Sequence, residues 1–117
     1  MRTSVTVFGI PNCDTIKKAR AWLDAHDIDY QFHDYRKQGA ELELLQSMAA
    51  ELGFEAMLNR RGTTWRALPE SVKAELDEPA ALRLMQENPA LIKRPILAYA
   101  DSLHLGFSDQ QYQEIFA

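Results

Sequence analysis

A single cysteine, Cys13, supplies all the thiol chemistry of these 117 residues, and that scarcity excludes an internal disulfide framework. Long apolar runs are absent too: nothing approaches the roughly 20 residues of a membrane-spanning helix, so no membrane partner is expected. The first apolar stretch, Val5-Thr6-Val7-Phe8, is strand-sized and stops at Gly9 without the pattern of an export signal. A reducing cytoplasm is the expected home. Positive charge is not in excess either. The 13 Lys and Arg are outnumbered by 17 Asp and Glu, for a formal net charge of -4, and direct nucleic-acid binding is not expected. There is no internal repeat or low-complexity linker, and no metal site is expected. What is present is 46% hydrophobic residues, enough for one core, so residues 1–117 are expected to form a single domain.

The pattern along the chain is that of a small α/β protein. After the strand Val5–Phe8, the break at Gly9-Ile10-Pro11 leads into a helix starting at Asn12 or Cys13, with Ile16, Ala19, Trp22 and Leu23 recurring on one face and an end near His26. A second strand is predicted over Ile28–His33, parallel to the first because a helix separates them. Between residues 40 and 89 no strand is expected. Leu42, Leu45, Met48 or Ala49, and Leu52 form a helical stripe that stops at Gly53, Asn59–Thr64 reads as a polar turn, Pro69 can start a short helix, and Pro79 suits the first turn of another. The methionines and tryptophans here read as gap-filling core, with no cofactor role. Two strands, Pro95–Tyr99 and Ser102–Phe107, are then joined by a tight turn at Ala100-Asp101. A last helix starts at Ser108, with Gln111 completing a capping box and Phe107 and Tyr112 placed as a hydrophobic staple.

Cys13 lies where the first strand gives way to the first helix. A thiolate there can accept unsatisfied backbone N–H groups and is favoured by the helix dipole, which lowers its pKa and raises the nucleophilic fraction; each unit is about 1.4 kcal/mol. Against the acidic background two basic pairs stand out, Arg60-Arg61 in the polar turn and Lys93-Arg94 before Pro95. An arginine near Cys13 can stabilise the thiolate and hold a carboxylate or oxyanion with two parallel hydrogen bonds. Arg94 is the sharper candidate. Pro95 at the start of a strand is, on its own, ordinary.

Three motifs, Gly-Ile-Pro-Asn-Cys-Asp-Thr (9–15), Asn-Arg-Arg-Gly-Thr (59–63) and Leu-Ile-Lys-Arg-Pro-Ile (91–96), together resemble the arsenate-reductase-like (ArsC/Spx) family of the thioredoxin-like superfamily, and most nearly its small YffB-type members. The resemblance implies a thioredoxin-like mixed sheet with an inserted helical subdomain, the core from 1–39 and 90–117 and the insertion from 40–89. It implies a catalytic Cys13 beside a cis Arg94-Pro95 bond, with the family's middle arginine falling on Arg60 or, in the alternative register, on Arg61. Asn12, Arg60, Arg61, Arg94 and Pro95 form the expected substrate-binding set. With no second cysteine, turnover needs an external thiol. The resemblance to YffB-type proteins points to glutathione as cosubstrate, no bound cofactor, glutathionylated substrates and glutaredoxin as a further partner.

Two departures weigh the alternatives. The family's arsenate reductases carry a further arginine where this chain has Leu105-Gly106-Phe107, which demotes arsenate reduction. Its transcription regulators include members with Cys-x-x-Cys, where this chain has Cys13-Asp14-Thr15-Ile16. A regulator that binds RNA polymerase without an internal disulfide switch is the other alternative.

Overall fold

The computed structural model describes residues 4–117. Its elements, in chain order, are β1 (Val5–Gly9), α1 (Asp14–Ala25), β2 (Gln31–Asp34), α2 (Tyr35–Gln38), α3 (Leu42–Leu52), α4 (Phe54–Met57), α5 (Thr63–Arg66), α6 (Glu70–Ala74), α7 (Glu78–Glu87), a 3-10 turn at Pro89–Leu91, β3 (Ile96–Tyr99), β4 (Ser102–Leu105) and α8 (Asp109–Ile115). Contacts gather them into two units, one reaching Asp34 and resuming at Arg94, the other Tyr35–Lys93.

In the first unit four strands form one mixed sheet in the order β2-β1-β3-β4. β1 pairs parallel with β2 and antiparallel with β3, and β4 lies antiparallel to β3. The alternation of β1 explains its central place: Val5, Val7 and Gly9 are buried while Thr6 and Phe8 are half-buried. α1 covers the Val5–Val7 face with the predicted stripe of Ile16, Ala19, Trp22 and Leu23, joined by Leu97 and Tyr112 in one core. The Trp22 indole N–H donates to Asp109 Oδ1 at 2.7 Å, which ties α1 to the start of α8. This is the thioredoxin-like mixed sheet that the motifs imply.

The turn and cap chemistry follows the sequence with two adjustments. Ala100 and Asp101 have φ of 52° and 62°, the left-handed pair that a two-residue hairpin needs to match strand twist. Ser108 Oγ accepts the Gln111 N–H at 3.0 Å and Phe107 packs edge-on against Tyr112 with centroids 4.6 Å apart, so the cap and the staple both form. The Gln111 side chain, however, donates to the Leu105 carbonyl at 3.1 Å, leaving the capping box half made. β2 begins at Gln31 rather than Ile28, because the Ile28 N–H is still held by the Leu23 carbonyl at 3.0 Å and β1 pairs with β2 only from Thr6 onward. β4 ends at Leu105 because Gly106, at φ 79°, turns its N–H to the Pro95 carbonyl at 2.8 Å.

The second unit is helical apart from one isolated bridge, Leu58 to Ile92. Flanking it, the Asn59 N–H donates to Leu91 O and the Lys93 N–H to Met57 O. α3 buries Leu45, Met48 and Ala49 and stops at Gly53, whose φ of 82° only glycine adopts without strain. The first turn of α7 contains Pro79 as expected, and Asp77 caps it by accepting the Ala80 N–H at 3.0 Å. Three four-residue helices, α2, α4 and α5, stand where the sequence pattern predicts turns or nothing regular, and α5 begins inside the expected polar turn at Thr63. The helical unit extends to Tyr35 and Lys93 rather than 40 and 89. At its first end, Tyr35 is buried and its hydroxyl donates to Met48 Sδ at 3.9 Å, which binds α2 to α3.

Candidate functional site

The thiol is set by the few residues that connect β1 to α1. Pro11 O accepts the Cys13 N–H at 3.0 Å, closing a tight bend through the exposed Asn12. Cys13 is then extended, with φ of -147° and ψ of 126°, and its carbonyl accepts the Lys17 N–H at 3.0 Å. Cys13 is thus the N-cap of α1, and Asn12 lies outside the helix. The side chain makes no capping hydrogen bond as a neutral thiol. Ionisation changes that balance. Burial of the half-exposed sulfur pushes its pKa up, but the Ile16 N–H, a hydrogen bond from the Arg94 side chain, the Thr15 N–H and the Arg94 charge together pull it below the ordinary thiol value. The net effect favours thiolate.

Arg94 reaches this position from the other side of the chain's loop-out, at the amino end of β3. The Arg94-Pro95 peptide is cis, Pro95 is buried, and the Pro95 carbonyl is held by the Gly106 N–H. Arg94 itself is half-buried with its Nε out of solvent. Gly9 makes room for the assembly: a Cβ there would land on the Ile16 side chain and lie 3.6 Å from Arg94 Cβ. The carboxyl end of β1, the amino end of α1 and the amino end of β3 therefore converge on one sulfur. Arg94 is thereby a neighbour of Cys13, with Pro95 next to it in the chain.

Arg60 and Arg61 belong to the helical unit and are exposed on the segment before α5. The Arg60 guanidinium carbon stands 5.6 Å from the centre of the Trp65 ring, and Lys73 Nζ stands 5.4 Å from the same ring. Arg61 is fixed through its backbone, its N–H donating to Asn59 Oδ1 at 3.3 Å and its carbonyl accepting from Arg66 at 2.9 Å. Sequence reasoning missed Gly9 and Gly106 as parts of the Cys13 setting, and Trp65 as the ring beneath Arg60. An aromatic five residues after an arginine was the only signal of the last. Among the described residues no group of three or more His, Cys, Asp or Glu is placed to hold a metal ion.

A lone cysteine at the N-cap of a helix with an arginine beside its sulfur, carried on this sheet, defines a thioredoxin-like redox fold with one cysteine. The chain belongs to the ArsC family, whose family model matches residues 8–115. It is 46% identical over 113 residues to an uncharacterized protein of Haemophilus influenzae, covering 97% of this chain and 99% of that one. It is 31% identical over 109 residues to the global transcriptional regulator Spx of Streptococcus pyogenes, covering 92% and 81%. Among solved structures it resembles a YffB protein at 45% identity with a TM-score of 0.91, over 97% of this chain and 100% of that one.

Proposed function

We propose that this protein is a monothiol thiol-disulfide reductase that uses glutathione as its second thiol. The observation that carries the reading is the solitary Cys13, held at a helix N-terminus with its pKa lowered and Arg94 on its sulfur. The Cys13 thiolate attacks the glutathionyl sulfur of a mixed disulfide; the new Cys13–S–S–glutathione bond forms as the substrate leaves as a thiolate and takes a proton. A glutathione thiolate then attacks the glutathionyl sulfur of that adduct, releasing oxidised glutathione and the Cys13 thiolate. Per turnover the substrate sulfur is released as a thiol, one glutathione is consumed, and its sulfur leaves joined to the glutathionyl unit already present in the mixed disulfide, with no second protein cysteine required. Arg94 holds a glutathione carboxylate, Asn12 and Pro95 shape the backbone beside the sulfur, and a carboxylate-binding role is assigned to Arg60 or Arg61. The reaction belongs in a reducing, cytoplasmic setting, with glutaredoxin as a partner for regeneration. Among the described residues no helix is long and apolar enough to cross a membrane.

Arsenate reduction is the lesser reading, because Leu105-Gly106-Phe107 offers a multiply charged oxyanion no further guanidinium, and the Gly106 N–H is already given to Pro95. The likeness to Spx favours a second reading, regulation through RNA polymerase, in which Cys13 has no partner for an internal switch. The deciding experiment is to incubate reduced protein with oxidised glutathione and record intact mass. A glutathione adduct that thiols reverse, and that Cys13→Ser does not form, is the expected result. An unmodified Cys13 in folded protein overturns the redox reading, and specific capture of RNA polymerase would then favour the second.

A further inference from the structure

Among the described residues Asp34 is the one buried polar or charged side chain, 7% exposed at the last position of β2. Its place in the sheet says what it faces. β1 and β2 are parallel with Val7 opposite Phe32 and Gly9 opposite Asp34, so these four residues share one face. That face is the one α1 covers: Arg20 of α1 lies over the Phe32 ring at 4.3 Å, and a Cβ on Gly9 would meet Ile16. Asp34 therefore points toward the first turn of α1, one strand spacing of about 4.8 Å from Gly9.

Gly9 has no side chain to stand between Asp34 and what lies on its other side. There, 3.6 Å from the position a Gly9 Cβ would take, is Arg94 Cβ. A carboxylate withdrawn from water is costly unless it is paired with a cation and hydrogen-bonded. Of the charged groups on the elements around it, Asp14 and Lys17 of α1 and Arg36 and Lys37 of α2 are exposed, and the half-buried Arg20 of α1 donates to the Tyr30 hydroxyl at 3.0 Å and lies over the Phe32 ring, whereas Arg94 is half-buried with its Nε out of solvent. We infer that Asp34 positions Arg94, its carboxylate accepting one edge of the guanidinium across the gap left by Gly9 so that another N–H stays directed at the Cys13 sulfur. A planar guanidinium can serve two acceptors at once, which a lysine in its place would do without fixed geometry. The inference rests on Arg94 acting on Cys13 as proposed above. It makes Asp34 a positioning residue that touches neither substrate nor sulfur.

The test follows the Cys13 thiol by the pH dependence of its alkylation and of its thiolate absorbance. Asp34→Ala should release Arg94 and lower the thiolate-to-thiol ratio at a fixed pH by about threefold to tenfold. Asp34→Asn keeps an acceptor for the guanidinium and should restore the parent ratio or exceed it, since the negative charge is gone. In an Arg94→Met background the loss caused by Asp34→Ala should vanish or reverse. If Asp34→Ala does not fold, Asp34→Asn carries the cycle: it should leave the ratio unchanged or raise it in the parent, and any such rise should persist in Arg94→Met only as far as direct charge repulsion acts. A loss of thiolate in Asp34→Asn equal to that in Arg94→Met, or a loss in Asp34→Ala that is undiminished when Arg94 is absent, overturns the inference. A parent thiol with an ordinary pKa would instead overturn the proposed function, before any Asp34 variant is measured.

Discussion

Replacing Gly9 by alanine adds one methyl group at the end of β1, and the structure says where it goes. The new Cβ falls on the Cδ1 of Ile16 and lies 3.1 Å from Ile16 Cγ1, while Arg94 Cβ at 3.6 Å is an ordinary contact. Ile16 is fully buried against β1, Ala19 and Leu23, so its side chain has little freedom to swing aside. Overpacking of this kind costs about 1–3 kcal/mol. Losing a glycine from a strand returns roughly 0.5–1 kcal/mol through the stiffer unfolded chain. The net expectation is destabilisation of about 1–2 kcal/mol. Ile16→Val alone should cost about 0.5–1.5 kcal/mol, yet it removes the atom on which the new methyl lands. The double variant should therefore be more stable than the sum of the single effects by about 1 kcal/mol, measured by urea denaturation of all four proteins. A second readout comes from the thiol. The Ile16 N–H is one of the groups that favour the Cys13 thiolate, so a displaced first turn of α1 should slow alkylation in Gly9→Ala and recover in the double variant. Strict additivity of the two substitutions, or a neutral Gly9→Ala, refutes the reasoning.

Cys13→Ser should abolish thiol-dependent turnover while changing stability by less than about 1.5 kcal/mol, because the side chain is only half-buried. Its pH dependence carries a sign. A lowered folded-state pKa means the unfolded chain binds more protons between that pKa and the ordinary thiol value of 9.0, so the parent should gain stability over Cys13→Ser as pH rises through that window, and the two curves should run parallel below it. A flat difference across the window in denaturation curves refutes it. Tyr112→Phe tests a different site: Tyr112 is fully buried, and its hydroxyl has no hydrogen-bond partner among the described residues, so burial pushes the phenol pKa far up. Removing that hydroxyl while keeping the ring packing against Trp22 and Phe107 should stabilise the fold by about 1–3 kcal/mol; a loss of stability in the same denaturation assay would refute this.

The parts of the fold that could be read from the chain are those where a side-chain period repeats often enough to be seen. α1 runs for 12 residues and shows its apolar stripe several times, and β1 alternates over five. End signals with their own local chemistry were equally legible, as Gly53, Ser108 and the Ala100-Asp101 turn show. Helices of four residues complete barely one turn, so α2, α4 and α5 carry no period; they exist because neighbouring elements hold them, as Met48 holds Tyr35. The site divides along the same line. Cys13 at a strand-to-helix junction is a local pattern, and its neighbours in sequence, Thr15 and Ile16, supply two of the donors that favour its thiolate. Arg94 comes from 81 positions further along the chain, and only the motif resemblance joined it to Cys13.

Gly9 and Asp34 were the least visible, for a reason that the sheet makes concrete. By composition, Gly9 looks like a strand terminator and Asp34 like the first polar residue of a turn. Their meaning depends on register: parallel pairing sets Gly9 opposite Asp34, the pleat turns both toward α1, and the antiparallel return of β3 brings Arg94 to the same edge. A missing side chain then becomes the opening through which a buried carboxylate can reach an arginine. Pairing Asp34 with Arg94 also gives a buried carboxylate a cationic partner, and it places the support for the Cys13 thiolate at the strand ends of the sheet rather than on the exposed bend at Asn12.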